Sequence, residues 1–92
     1  MTDDRAQLRT AADDLDELAE SVPDSDVADR LDGLADRLRS MADANRGPDH
    51  GSLDRLMHNL REVRGELDGE EAETVDAALG DVRDYRETVE GV

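Results

Sequence analysis

The chain has 92 residues and a mass of 10.1 kDa, and it sets 26 Asp and Glu against 11 Arg with no Lys, for a formal charge of −15 and a pI near 4.2. That length holds one small domain. The absence of cysteine excludes a disulfide framework, a thiol nucleophile and Cys-rich zinc sites. No apolar run approaches the roughly 20 residues that span a bilayer, and Met1-Thr2-Asp3-Asp4 lacks the basic and apolar character of a leader, so a cytoplasmic protein with no membrane association is expected.

The apolar positions form four blocks with alternating three- and four-residue spacing, which draws a narrow stripe along an α-helix. The first block is Leu8, Ala11, Leu15, Leu18, Val22, and Thr2 is placed to cap it, with Asp3 and Asp4 in the first turn. Val22-Pro23-Asp24-Ser25-Asp26 then breaks the helix and offers Asp24 or Ser25 as the next cap. The second block is Val27, Leu31, Leu34, Leu38, Met41. Alanines flank both stripes, Ala12 and Ala19 in one, Ala28, Ala35 and Ala42 in the other, and their small size lets helices approach closely.

The longest connection, Asn45-Arg46-Gly47-Pro48-Asp49-His50-Gly51-Ser52, holds the strongest breaker in the chain. After it come Leu53, Leu56, Leu60, Val63, Leu67, then a turn at Asp68-Gly69 with Asp68 as cap. The fourth block is Ala72, Val75, Leu79, Val82 and, past an interruption at Arg86, Val89. No block alternates with period two, and Ile and Phe are absent. The fold expected is all-α, one domain over 1–92: an antiparallel four-helix bundle built from two helical hairpins, with helices over roughly 3–21, 25–44, 52–67 and 69–90. The Leu, Val and Ala core is thin for such a charged chain, so monomer and homodimer are both open.

Charge and aromatic content bear on function. With Tyr85 the sole aromatic and no basic stripe, direct nucleic-acid binding is not expected. An Asp-rich, Lys-free surface suits a cytoplasm of molar salt, where the screening length is about 3 Å and carboxylate repulsion is muted. No phosphate-cradling loop, nucleophile elbow or metal-binding signature occurs, and neither enzymatic activity nor a cofactor is expected.

Two local constellations remain. His50, Asp54 and His58 recur every four residues and form a candidate metal-binding face if the third helix starts near Asp49. An antiparallel bundle also returns Tyr85 and Arg86 to the end that holds Arg46, Asp49 and His50, a candidate polar site. There Arg86 is expected to pair with Asp49 while Tyr85 packs over the loop and fastens the bundle end.

The stretch Arg46-Gly47-Pro48-Asp49-His50-Gly51-Ser52-Leu53 and the ending Asp84-Tyr85-Arg86-Glu87-Thr88-Val89-Glu90-Gly91-Val92 resemble a family of short acidic haloarchaeal helical proteins of unassigned function. The resemblance implies a small cytoplasmic helical protein and supplies no activity or ligand. The reading that follows is a halophilic, non-enzymatic accessory or interaction bundle with an unidentified protein partner. A bundle responsive to a metal or small ligand through His50, Asp54 and His58, and an acidic nucleic-acid-mimic decoy, are the alternatives.

Overall fold

Four helices follow one another in the computed structural model, which describes residues 5–44 and 49–88: α1 (Ala6–Ser21), α2 (Ser25–Asp43), α3 (His50–Arg64) and α4 (Gly69–Thr88). No strand occurs among the described residues. The molecule measures 39 × 20 × 19 Å, the proportions of a bundle whose 15- to 20-residue helices rise 1.5 Å per residue.

Each boundary has a local cause. Thr2, Asp3 and Asp4 lie outside the described residues; within them, Arg5 occupies the position before α1 without a side-chain cap, and the first turn carries no acidic residue. Val22 closes α1 with its N–H on the Leu18 carbonyl at 3.1 Å, and Pro23, lacking an N–H, cannot extend the ladder. Asp24 then caps α2, its carboxylate accepting from the N–H groups of Asp26 at 2.9 Å and Val27 at 3.3 Å. α3 departs from expectation at both ends. It starts at His50, before Gly51 and Ser52, because Asp49 caps it through the Ser52 N–H at 2.7 Å. It stops at Arg64, where Gly65 leads into a turn closed by Glu66 N–H on the Val63 carbonyl and Leu67 N–H on the Arg64 carbonyl. Gly69, at φ +57°, supplies the one left-handed residue among those described and turns the chain into α4.

The four stripes meet in one core. Leu8, Leu15, Leu31, Leu38, Leu53, Leu56, Leu60, Val63, Val75 and Val82 have less than 2 % of their surface exposed. Ala11, Ala12, Ala35 and Ala78 are fully buried beside them, which explains why α1 packs most closely, against α2 first and α4 second. α3 lies against α4, and the seam between α2 and α3 is the slightest of the four. The ring α1-α2-α3-α4 is thus closed most loosely at the α2–α3 seam, whereas the hairpins' other seam, α1–α4, is close. Met41 and Leu67 are only half-buried at its ends. In α4 the stripe does not break at Arg86: it turns through Ala78 and Val82 to Tyr85, which is 5 % exposed and belongs to the core. Val89 lies outside the described residues.

Arginines stitch neighbouring helices together from outside. Arg39 on α2 bridges Asp13 at 2.9 Å and Asp16 at 2.5 Å on α1, and these carboxylates raise its pKa further, Asp16 foremost. Arg30 reaches Glu66 in the turn after α3, and Arg64 pairs with Asp76 across α3 and α4. At the α1 start, Arg5 donates to the carbonyls of Ala42 and Ala44, and Arg9 to the Ala42 carbonyl and the Asp43 carboxylate. α2 has no basic residue in its own last turn, so cations from α1 satisfy its carbonyl end.

Candidate functional site

The end of the bundle where α3 starts and α4 finishes holds the residues singled out by the sequence. Arg86 does not pair with Asp49. Its Nε donates to Asp54 Oδ1 at 2.7 Å and its terminal nitrogen to Asp54 Oδ2 at 3.3 Å, a two-point clasp between α4 and α3. The cause is the early start of α3: Asp49 is consumed as the helix cap, and Asp54, one turn along, stands level with Arg86. Asp49 is held below the ordinary aspartate pKa, first by the Ser52 N–H and hydroxyl, then by the nearby charges of Arg55 and His50. Tyr85 is inserted into the core rather than laid over the loop, and Thr88 donates from its hydroxyl to the Tyr85 carbonyl at 2.6 Å. Arg46 lies outside the described residues. The structure therefore brings Arg86 to Asp54, and Asp49 to Ser52, Arg55 and His50; it does not gather these residues into one cluster.

His50, Asp54 and His58 are not assembled as a ligand set either. Four residues turn an α-helix about 400°, so each step drifts about 40° and the three side chains fan out instead of converging. Asp54 is taken by Arg86, and His58 Nε2 meets Glu62 at 3.1 Å one turn further on. Among the described residues no group of three or more His, Asp or Glu is arranged to hold a metal ion.

A different site, not visible in the sequence, lies between α1 and α4. A groove of about 390 Å³ is lined by Asp14, Glu17, Leu18 and Ser21 of α1 and by Glu70, Glu71, Thr74 and Ala77 of α4. None of the lining residues is basic. One turn and more along the same seam, burial pushes the pKa of Asp81 up, and the carboxylates of Asp14 and Asp84 push it further. The first helix places Asp14, Glu17 and Ser21 at i, i+3 and i+7 on one flank of its stripe, a pattern present in the sequence. What the sequence withholds is which helix stands opposite.

Fold and surface together define a small helical-bundle protein whose exterior chemistry is that of carboxylates and arginines, and among the described residues no helix is long and apolar enough to cross a membrane. The chain belongs to a family of unknown function, DUF7553, matched over residues 1–88. No curated protein and no solved structure matches it.

Proposed function

We propose that this chain is a non-enzymatic interaction protein of a salt-rich cytoplasm, of haloarchaeal type, that presents the α1–α4 groove to a basic segment of a partner protein. The observation that carries this reading is the make-up of that groove: four carboxylates and two hydroxyls beside Leu18 and Ala77, with no basic residue lining it. Elsewhere arginines bridge helix to helix across the surface. A partner's Lys or Arg would supply here what the chain itself does not.

The composition supports the setting. With 26 acidic residues, 11 Arg and no Lys, the chain repels itself in dilute buffer, and in molar salt that repulsion is confined to about 3 Å. Under such screening a diffuse acidic field steers nothing, and recognition must come from contact inside a shaped surface. A groove meets that requirement better than a charged face does.

The test is titration of the isotope-labelled protein with an Arg- and Lys-rich helical peptide in molar KCl, followed by amide shifts. Shifts confined to Asp14–Ser21 and Glu70–Ala77, and lost in the Glu17→Gln, Glu70→Gln, Glu71→Gln variant, are expected. Shifts spread evenly over all four helices, or retained in the neutralised variant, would remove the groove from the account. Competition with duplex DNA for a basic protein in the same salt would point instead to nucleic-acid mimicry.

A further inference from the structure

The slight seam between α2 and α3 also carries an open groove, and its chemistry is opposite to that of the α1–α4 groove. About 270 Å³ of space is bounded by Arg30, Gly33, Leu34 and Arg37 of α2 and by Asn59 and Val63 of α3. Leu34 and Val63 are 6 % and 1 % exposed and form an apolar floor that is continuous with the core. Gly33 opens the wall: a Cβ built there meets no atom within 4 Å. Arg30 and Arg37 stand two turns apart on one flank of α2. Arg30 is engaged by Glu66, whereas the guanidinium of Arg37 has no hydrogen bond or ion pair among the described residues. Arg55, Arg61 and Arg83 are likewise exposed and without an ion pair among the described residues, but of these four only Arg37 lines the groove, and there a ligand's carboxylate would complete it.

The geometry points to the open α2–α3 groove as a binding site for a small amphiphilic organic carboxylate, its anionic head on Arg37 and Asn59 and its apolar body on Leu34 and Val63. Arg37 offers a planar fork that matches a carboxylate at two points, and the half-buried Asn59 amide can donate a further hydrogen bond. The volume lies just below the usual range of ligand pockets, which suits a short aliphatic or aryl acid and not a folded segment. Three other occupants fit less well. A nucleotide base would need a stacking surface, and Tyr85 is buried in the core. An inorganic anion would leave the apolar floor unused. A second copy of the chain would bring another 15 negative charges.

The site is independent of the α1–α4 groove and is tested separately, with sodium octanoate as the probe and octylammonium and inorganic phosphate as controls, by amide shifts in molar KCl. Octanoate is expected to give saturable shifts at Gly33, Leu34, Asn59 and Val63 and to raise the melting temperature, while octylammonium and phosphate do neither. Gly33→Leu places a side chain in the groove without meeting a neighbour at Cβ and replaces a poor helix former with a good one; it should keep its melting temperature or raise it, yet abolish the octanoate shifts. Arg37→Gln should weaken binding by about tenfold or more, the loss of a charge-assisted contact. The proposal is overturned if octanoate leaves these amides unmoved, if octylammonium or phosphate moves them equally, if Gly33→Leu binds octanoate as well as the parent, or if the same shifts arise from raising protein concentration alone.

Discussion

Arg86 and Asp54 meet through two hydrogen bonds, 2.7 and 3.3 Å long, from the last turn of α4 to the first turns of α3. Both side chains are partly open to solvent, at 35 % and 58 % exposure, so the pair aligns the helices more than it stabilises them. Arg86→Ala should lower stability by less than about 1 kcal/mol, and a double-mutant cycle with Asp54→Ala should give a coupling of about 0.5 kcal/mol that shrinks as salt rises. Its neighbour behaves oppositely. Tyr85 lies in the core, and Tyr85→Ala should cost about 3–5 kcal/mol irrespective of salt. Chemical denaturation of the four variants at low and molar KCl separates the two contributions; equal losses at positions 85 and 86 would contradict this division.

The C-terminal carbonyls of α2 depend on residues of another helix. Arg5 and Arg9 donate to Ala42 and Ala44 carbonyls, which places positive charge at the negative end of the α2 dipole. Arg9→Gln should destabilise by about 0.3–1 kcal/mol and, more tellingly, speed hydrogen exchange in the last turn of α2 while leaving the start of α2 protected. Faster exchange confined to α1 would show that the contact serves α1 instead.

These two contacts show where the sequence was legible and where it was not. The stripes of α1, α2 and α3 fall where the three- and four-residue spacing draws them except at their last positions in α2 and α3, Met41 and Leu67, which are half-buried, Leu67 beyond the end of α3; Pro23 with Asp24 marks the first hairpin, because a missing N–H and a side-chain cap act locally. Past Val82, however, that spacing permits position 85 or 86, and the Tyr85 ring, with more apolar area to bury, takes the inward place while Arg86 turns to Asp54. Cross-helix register decides such partners, and periodicity within one helix carries no information about it. The same holds for both grooves. Their walls come from two helices each, so the residues can be read from the chain but their meeting cannot.

Two aspartates give the pH dependence opposite signs. Asp49 is held below its ordinary pKa by the Ser52 N–H; its capping contribution is complete above the unfolded value and is lost as pH falls through the folded one. Asp81 is raised, by burial first and then by Asp14 and Asp84. Between its unfolded and folded pKa the native chain binds more protons than the unfolded chain, so Asp81 opposes folding most fully above the folded value, and acidification relieves it. Asp81→Asn should therefore raise the melting temperature at neutral pH, by an amount on the order of 0.5 kcal/mol in stability, and the advantage should fade as pH falls into the carboxylate range. A variant advantage that grows on acidification would reverse the sign assigned to this seam.

Glycine substitutions separate helix propensity from backbone geometry. Gly33 and Gly80 lie inside α2 and α4, neither has a positive φ, and a Cβ at either meets nothing within 4 Å. Replacing each by Ala restricts the unfolded chain and strengthens the helix without crowding a neighbour, so each should stabilise by about 0.5–1 kcal/mol, and with the two positions on different helices and neither Cβ meeting a neighbour the two gains should add. Gly69 has equally open space around it but sits at φ +57°, where an L side chain is strained by roughly 1–2 kcal/mol. Gly69→Ala should therefore lose stability despite the empty surroundings. Thermal and urea unfolding of the three single variants and the Gly33→Ala, Gly80→Ala double variant decide the matter, and a gain at position 69 matching those at 33 and 80 would mean that the turn into α4 does not need the left-handed residue.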